Sequence, residues 1–304
     1  MKILNENFEL LDSLHKITMA DSFVVRQNKI DKGNGEAKLY VGHENHETRS
    51  FFGSKGFQNN CFFLRKDLIQ FIKDLEIEYI NPSQEYRDKN NFSNLYFSRL
   101  NYLESLPEKV EFTIKEQTQI AGPRIYINSF INKEYYNIMR EISLPVISYL
   151  SVLKLQINNN IFYYYRLFPE FTEKEHPAST QPRVGQSEFR NNLLQDIPYC
   201  PFTGVIEPSL LIASHIKPWR DCIDDFERMD PKNGFMLTPS IDKLFDKGFI
   251  TITNKKTILI SPFFPSSEVN KIGIFENKIY ENIPIEGRLD YLKYHNKYIF
   301  KGNL

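Results

Sequence analysis

Little in this chain points to an oxidising or membrane setting. Its 304 residues hold 3 cysteines, Cys61, Cys200 and Cys222, too few and too scattered for a disulfide framework, which fits a reducing compartment. No apolar run approaches the roughly 20 residues that a membrane span needs. The opening MKILNENFELLDSLHK is broken by acids and amides and lacks the basic, apolar and small-residue order of a signal peptide. The expectation is a soluble, cytoplasmic protein with no membrane partner. Net charge is also lacking: Lys+Arg and Asp+Glu number 38 each, so the chain as a whole exerts no general attraction on a polyanion. Any nucleic-acid contact must come from a local site. No internal repeat or long low-complexity tract is present. What is present is apolar mass: 41% hydrophobic and 14% aromatic residues can cover a sizeable core in one large or two smaller domains.

The first part of the chain reads as mixed strand and helix. SFVVRQNKI and EAKLYVG flank Asn34-Gly35, a pair that favours the positive φ values of a tight turn, so a hairpin is expected there. Leu64, Leu68, Phe71, Ile72 and Leu75 recur at helical spacing and predict an amphipathic helix with one buried stripe. Val110, Phe112 and Ile114 alternate with polar residues, and two β-rich runs, 145–155 and 161–167, surround Gln156-Ile-Asn-Asn-Asn160. His43 and His46 have metal-like spacing but no second pair to complete a site, and read as a surface loop. Glu173-Lys-Glu-His-Pro-Ala-Ser-Thr-Gln-Pro182 lacks large apolar residues and holds two prolines, the composition of a linker. The predicted organisation is an α+β protein: an N-terminal mixed α/β recognition or regulatory domain over 1–175, a linker over 176–184, and a second domain over 185–304.

Chemistry concentrates in that second domain. Ser209-Leu-Leu-Ile-Ala-Ser-His215 is an apolar strand ending on a histidine, and Pro218 stops regular pairing just beyond it. After a polar loop, Asn233-Gly234 introduces a second strand, Phe235-Met236-Leu237. Thr238-Pro239-Ser240 then offers an N-cap with proline at the first helical position. On that helix Ile241, Leu244 and Phe245 share one face, while Asp242 and Asp246, four apart, are neighbours on another. Phosphodiester hydrolysis needs a base, a Lewis acid and something to aim the base. An unperturbed imidazole titrates near pH 6.5, so His215 can serve as general base. Carboxylate oxygens at Asp242 and Asp246 suit Mg²⁺ or Mn²⁺, and Mg²⁺ usually takes one or two carboxylates. Asp242 near a helix start is also favoured by the helix dipole, whatever its function, and Asn233-Gly234 alone would be an ordinary turn.

Four motifs stand in order: Cys200-Pro-Phe-Thr-Gly204, Ala213-Ser-His-Ile-Lys-Pro-Trp219, Asp230-Pro-Lys-Asn-Gly234 and Ile241-Asp-Lys-Leu-Phe-Asp-Lys-Gly248. Together they resemble HNH endonucleases of the restriction-associated kind. The likeness extends upstream to Gly185-Gln-Ser-Glu-Phe-Arg190 and downstream to the closing segment Leu289-Asp-Tyr-Leu-Lys-Tyr-His295. The resemblance implies a ββα-metal finger in which His215 activates water, Asn233 braces it, and Asp242 and Asp246 hold the metal from the helix. It further implies cleavage of DNA, expected to be double-stranded, to 5′-phosphate and 3′-hydroxyl ends in a restriction or phage-defence setting, with a homodimer supplying two cuts. The chain departs from the family pattern twice. Asp242 stands where the final histidine is usual, and Ser214, a further candidate ligand, where an aspartate often precedes the base. Relatives often hold structural zinc through paired Cys-x-x-Cys motifs; Cys200 is followed three places on by Thr203 and Cys222 has no close partner, so no zinc is expected. Lys217 and Arg190 are the candidate phosphate contacts, offset by Asp221, Asp224, Asp225 and Glu227. Two other readings stay open: a signal-gated effector that degrades DNA indiscriminately, and a nucleic-acid-binding module with an inactive nuclease fold.

Overall fold

The computed structural model describes residues 1–30, 33–81, 92–117, 122–170 and 186–302. Apart from Lys2, the described residues up to 170 form one compact unit and those from 186 a second. The expected linker and Gly185 lie outside the described residues.

In the first unit two short strands, β1 (Lys2–Ile3) and β2 (Glu6–Asn7), precede β3 (Glu9–Thr18). Then come β4 (Leu39–His43), α1 (His46–Phe52), β5 (Gln58–Leu64), α2 (Arg65–Asp74), α3 (Glu76–Ile80), α4 (Phe92–Glu104), β6 (Lys109–Gln117), β7 (Arg124–Ser129), α5 (Lys133–Ile142), β8 (Ser148–Ile157) and β9 (Asn160–Pro169). Among the described residues these strands build a seven-stranded sheet in the order β3-β8-β9-β5-β6-β7-β4. Every pairing is antiparallel except β5 with β9. α1 packs on both edge strands, β3 and β4, so the sheet curls toward the helical side and its edges are drawn toward one helix. Phe63, Phe112, Ile114, Ile127, Val152 and Tyr165 of the strands bury against Leu68, Phe71 and Ile72 of α2 and against Tyr136 and Met139 of α5. Removal of this apolar surface from water is the main stabilising term.

The expected amphipathic helix is α2, and the alternating run at Val110 is β6. The two late runs are β8 and β9, joined at Asn158 and Asn159, which both adopt positive φ, 48° and 63°, as a two-residue turn that follows the twist of its strands requires. The expected hairpin at Asn34-Gly35 does not form. Residues 26–28 are a 3₁₀ turn, and β4 pairs with β7 instead of the preceding segment. The core claims that segment first: Phe23 and Val24 are buried, Val25 N–H bonds to the Arg140 carbonyl, and Asn28 Nδ2 donates to the carbonyls of Glu141 and Ser143. His46 opens α1, where the Asn45 side chain caps Thr48 N–H, and His43 ends β4.

The second unit runs α6 (Gln186–Asp196), β10 (Ile212–His215), α7 (Asp225–Met229), β11 (Gly234–Leu237), α8 (Pro239–Asp246), β12 (Ile250–Ile252), β13 (Ile258–Ile260), α9 (Ser266–Lys271) and α10 (Leu289–Tyr294), the last continuing as a π-helical turn over His295–Ile299. It delivers the expected order of strand, loop, strand and helix. The first strand is shorter than the sequence suggests, because Pro208–Leu210 forms a 3₁₀ turn that delays pairing to Ile212. Pro239 does open α8. The Thr238 hydroxyl makes no cap, however; its carbonyl accepts from Ile241 and Asp242 N–H instead.

Candidate active site

The ribbon β10–β11 pairs Ser214 with Phe235 and His215 with Gly234, which puts the histidine at the open end of a two-stranded sheet. Gly234 is extended, not a turn. It is glycine because α6 presses on it: a Cβ there would lie 2.6 Å from Phe189 Cζ and 3.0 Å from the Ser214 carbonyl oxygen. The same Phe189 ring stacks on the imidazole of His215, centroids 3.7 Å apart at 16°, and Trp219 meets that imidazole edge-on at 5.6 Å. Two aromatic neighbours thus fix the plane of the ring.

His215 Nε2 lies 3.0 Å from the backbone carbonyl oxygen of Arg228. A carbonyl can only accept, so Nε2 carries the hydrogen and Nδ1 the basic lone pair. The tautomer follows from the partner.

Asn233, fully buried, holds the loop that provides that carbonyl. Its Oδ1 accepts from Lys217 N–H at 2.8 Å, and its Nδ2 donates to the carbonyls of Lys217 (3.2 Å) and Glu227 (3.0 Å) and approaches Cys222 Sγ at 3.4 Å. Glu227 immediately precedes Arg228, so Asn233 is hydrogen-bonded to the loop backbone next to the carbonyl that meets His215. Glu227 closes the loop again: its carboxylate accepts from Ile223 N–H and pairs with Lys217 Nζ at 2.5 Å, and the Lys217 ammonium holds its pKa below the usual range.

Across the ribbon, α8 packs on β10 and brings Asp242 near the Ser214 side chain. Burial raises the Asp242 carboxyl to about 6, the nearby Ser214 hydroxyl opposes that rise, and the charge of Asp246 adds to it. The two carboxylates therefore feel one another, Asp242 half-buried and Asp246 exposed. A half-buried carboxylate beside a second one, with a hydroxyl at hand, is an all-oxygen donor set. It fits a hard divalent cation that keeps most of its waters. It does not fit zinc, which takes three or four protein ligands. Cys200 is buried in a turn closed by Gly204 N–H on its carbonyl, and burial raises the Cys222 thiol, the form that does not ligate metal.

Of the seven residues singled out from sequence, the ribbon and helix bring Ser214 and Asp242 together, with Asp246 beside them, and join His215 to Asn233 through the loop. The remaining two are tied into the scaffold. Lys217 is buried against Glu227 and over the Tyr294 ring, and Arg190 donates to the carbonyls of Leu211 (2.7 Å) and Pro208 (2.6 Å). Sequence reasoning passed over Phe189, Trp219 and the Arg228 carbonyl. It also passed over Arg288, buried beneath the site, which donates to the carbonyl of Gly234 at 3.1 Å and to Asp196. None carries a local pattern; Phe189, one residue before Arg190 in the upstream motif, was the nearest signal.

No curated protein matches the chain. Residues 200–253, which contain the ribbon, the braced loop and the carboxylate helix, match the family model described as HNH endonuclease, and this stretch of the chain is an HNH endonuclease domain.

Proposed function

We propose that the chain is a divalent-metal-dependent endonuclease that hydrolyses DNA phosphodiester bonds in a restriction or phage-defence role. One observation carries the reading: His215 donates Nε2–H to the Arg228 carbonyl, which leaves Nδ1 basic on the ribbon that also holds Ser214 against Asp242. Nδ1 takes the proton of a water. The hydroxide attacks phosphorus and the bond to the 3′ oxygen breaks; that oxygen leaves with the bonding pair and takes a proton from solvent, giving a 5′-phosphate and a 3′-hydroxyl. The imidazolium so formed lies against the face of Phe189, whose π electrons favour a cation. Asn233 holds the loop so that the ring does not turn. Asp242 and Asp246, with Ser214 beside them, would hold Mg²⁺ or Mn²⁺, which supplies Lewis acidity for the charge that develops on the phosphate. Lys217 and Arg190 act on DNA only indirectly, by holding the loop and the strand entry. Cutting both strands takes two such sites, so the acting species is a homodimer, and the N-terminal unit reads the DNA.

The test is nicking of supercoiled plasmid across a Mg²⁺ and Mn²⁺ titration. Asp242→Asn should shift the metal requirement upward by at least about ten-fold, as loss of one of few ligands does. Cleavage by that variant with an unchanged metal requirement would remove Asp242 from the site.

A further inference from the structure

The outer face of the sheet at its β4 edge has a chemistry that the core does not explain. β4 pairs with β7 in a register that sets Tyr40 opposite Tyr126, and a bulge between Tyr40 and Gly42 brings His43 opposite Arg124 on the same side. Such a bulge re-aims a side chain. As a result the His43 ring meets Tyr40 edge-on at 5.9 Å, while Tyr40 and Tyr126 lie 5.5 Å apart. On the neighbouring strand Lys115 is opposite Asn128, and Gln117 opposite Tyr126. Lys38 Nζ sits 5.3 Å over the Tyr126 ring, and Lys115 Nζ 6.0 Å over Phe130. Tyr40, His43, Lys115 and Arg124 are exposed.

Acidic groups among the described residues nearby are turned away or occupied. Glu116 faces the other side, paired with Arg49 and capping Gly56 N–H; Glu44 also pairs with Arg49; Glu111, at the far end of β6, pairs with Lys109; and Glu36 pairs with Lys38 at the rim. Open rings flanked by cations on a sheet face form the arrangement on which unpaired bases stack while the backbone phosphates are neutralised. In a chain with no net charge, this local surplus is not a consequence of composition.

We propose that this face, Tyr40 and Tyr126 beside His43 and flanked by Lys115 and Arg124, binds unpaired DNA, with the rings stacking on bases and the two cations on phosphates. The choice of DNA as occupant rests on the nuclease reading; the site itself belongs to the N-terminal unit alone.

The experiment is fluorescence anisotropy of a labelled oligo-dT with the full-length protein in EDTA, over a salt series. The intact chain should bind, and Tyr40→Ala with Tyr126→Ala should weaken binding at least about ten-fold, the loss expected on removing a stacking ring. Tyr40→Phe with Tyr126→Phe should restore it, since stacking needs no hydroxyl. Lys115→Glu with Arg124→Glu, which disturbs no buried group, should weaken binding and flatten its salt dependence. Absence of oligo-dT binding, or binding equal in the intact chain, the alanine pair and the charge reversals, overturns the proposal. A chain that cuts plasmid but shows that equality refutes this face and leaves the nuclease standing; one that binds as described but never cuts does the reverse.

Discussion

His215 is held on three sides: by the Arg228 carbonyl at Nε2, by Phe189 across its face and by Trp219 at its edge. Phe189→Leu keeps apolar volume but loses the flat partner. Plasmid cleavage should fall roughly ten- to a hundred-fold, the scale of a misaligned catalytic group, with the metal requirement unchanged; wild-type cleavage in this variant would contradict the positioning role. Asn233→Ala would leave Lys217 N–H and the carbonyls of Lys217 and Glu227 unpaired in a buried place. A loss of about 3 kcal/mol in denaturant unfolding is expected, at the upper end for one buried polar group, together with loss of cleavage. The placement of His215 at a strand end, Asn233 before the second strand and the two aspartates on one helix was legible because each rests on a local pattern. The placement of the groups that orient them was not. A backbone carbonyl has no residue type, and Phe189 reaches His215 from another element.

At the scale of elements, the same short signal succeeded in one place and failed in another. Asn158-Asn159 makes its turn because β8 and β9 are consecutive along the chain and pair over their whole length. Asn34-Gly35 does not, because Phe23, Val24 and Asn28 are drawn into the core and against α5; non-local burial overrode the local preference. Glycines divide in the same way. Gly248 follows the C-cap of α8 with φ +67°, and a Cβ there would collide with the Ile299 carbonyl oxygen. Gly248→Ala therefore meets both a left-handed backbone and fixed main chain, and thermal melts should show a loss above about 2 kcal/mol, beyond the usual range for a surface change. A melting temperature equal to wild type would mean that α8 does not need this closure. The reason for Gly234, the approach of α6, could not be read from the residues beside it.

For the whole molecule, His295 gives a pH dependence with a definite sign. It is fully buried on Phe245, bonded through Nε2 to the Phe245 carbonyl at 3.0 Å, and burial lowers its pKa from 6.5 to about 4. Between those values the unfolded chain binds a proton that the folded chain refuses. Its contribution is thus complete above pH 6.5 and is lost as the pH falls toward 4, by about 3 kcal/mol. Asp242, raised to about 6, works in the opposite sense over part of that window. The comparison that isolates His295 is unfolding at pH 7.5 and 4.5 for the wild type and His295→Gln. The variant should lose less on acidification, and equal losses would contradict the assignment.

The HNH endonuclease domain is the part of the molecule whose chemistry both the sequence motifs and the ribbon geometry express. In the proposed reaction a single nitrogen of this domain, His215 Nδ1, takes the proton of the attacking water. The most direct measurement is cleavage of plasmid DNA by the purified full-length chain with Mg²⁺, Mn²⁺ or EDTA, beside His215→Ala. The account predicts cleavage that needs the metal and disappears in the variant. Metal-dependent cleavage at an unchanged rate in His215→Ala, or no cleavage by the intact chain under any of these conditions, would contradict it.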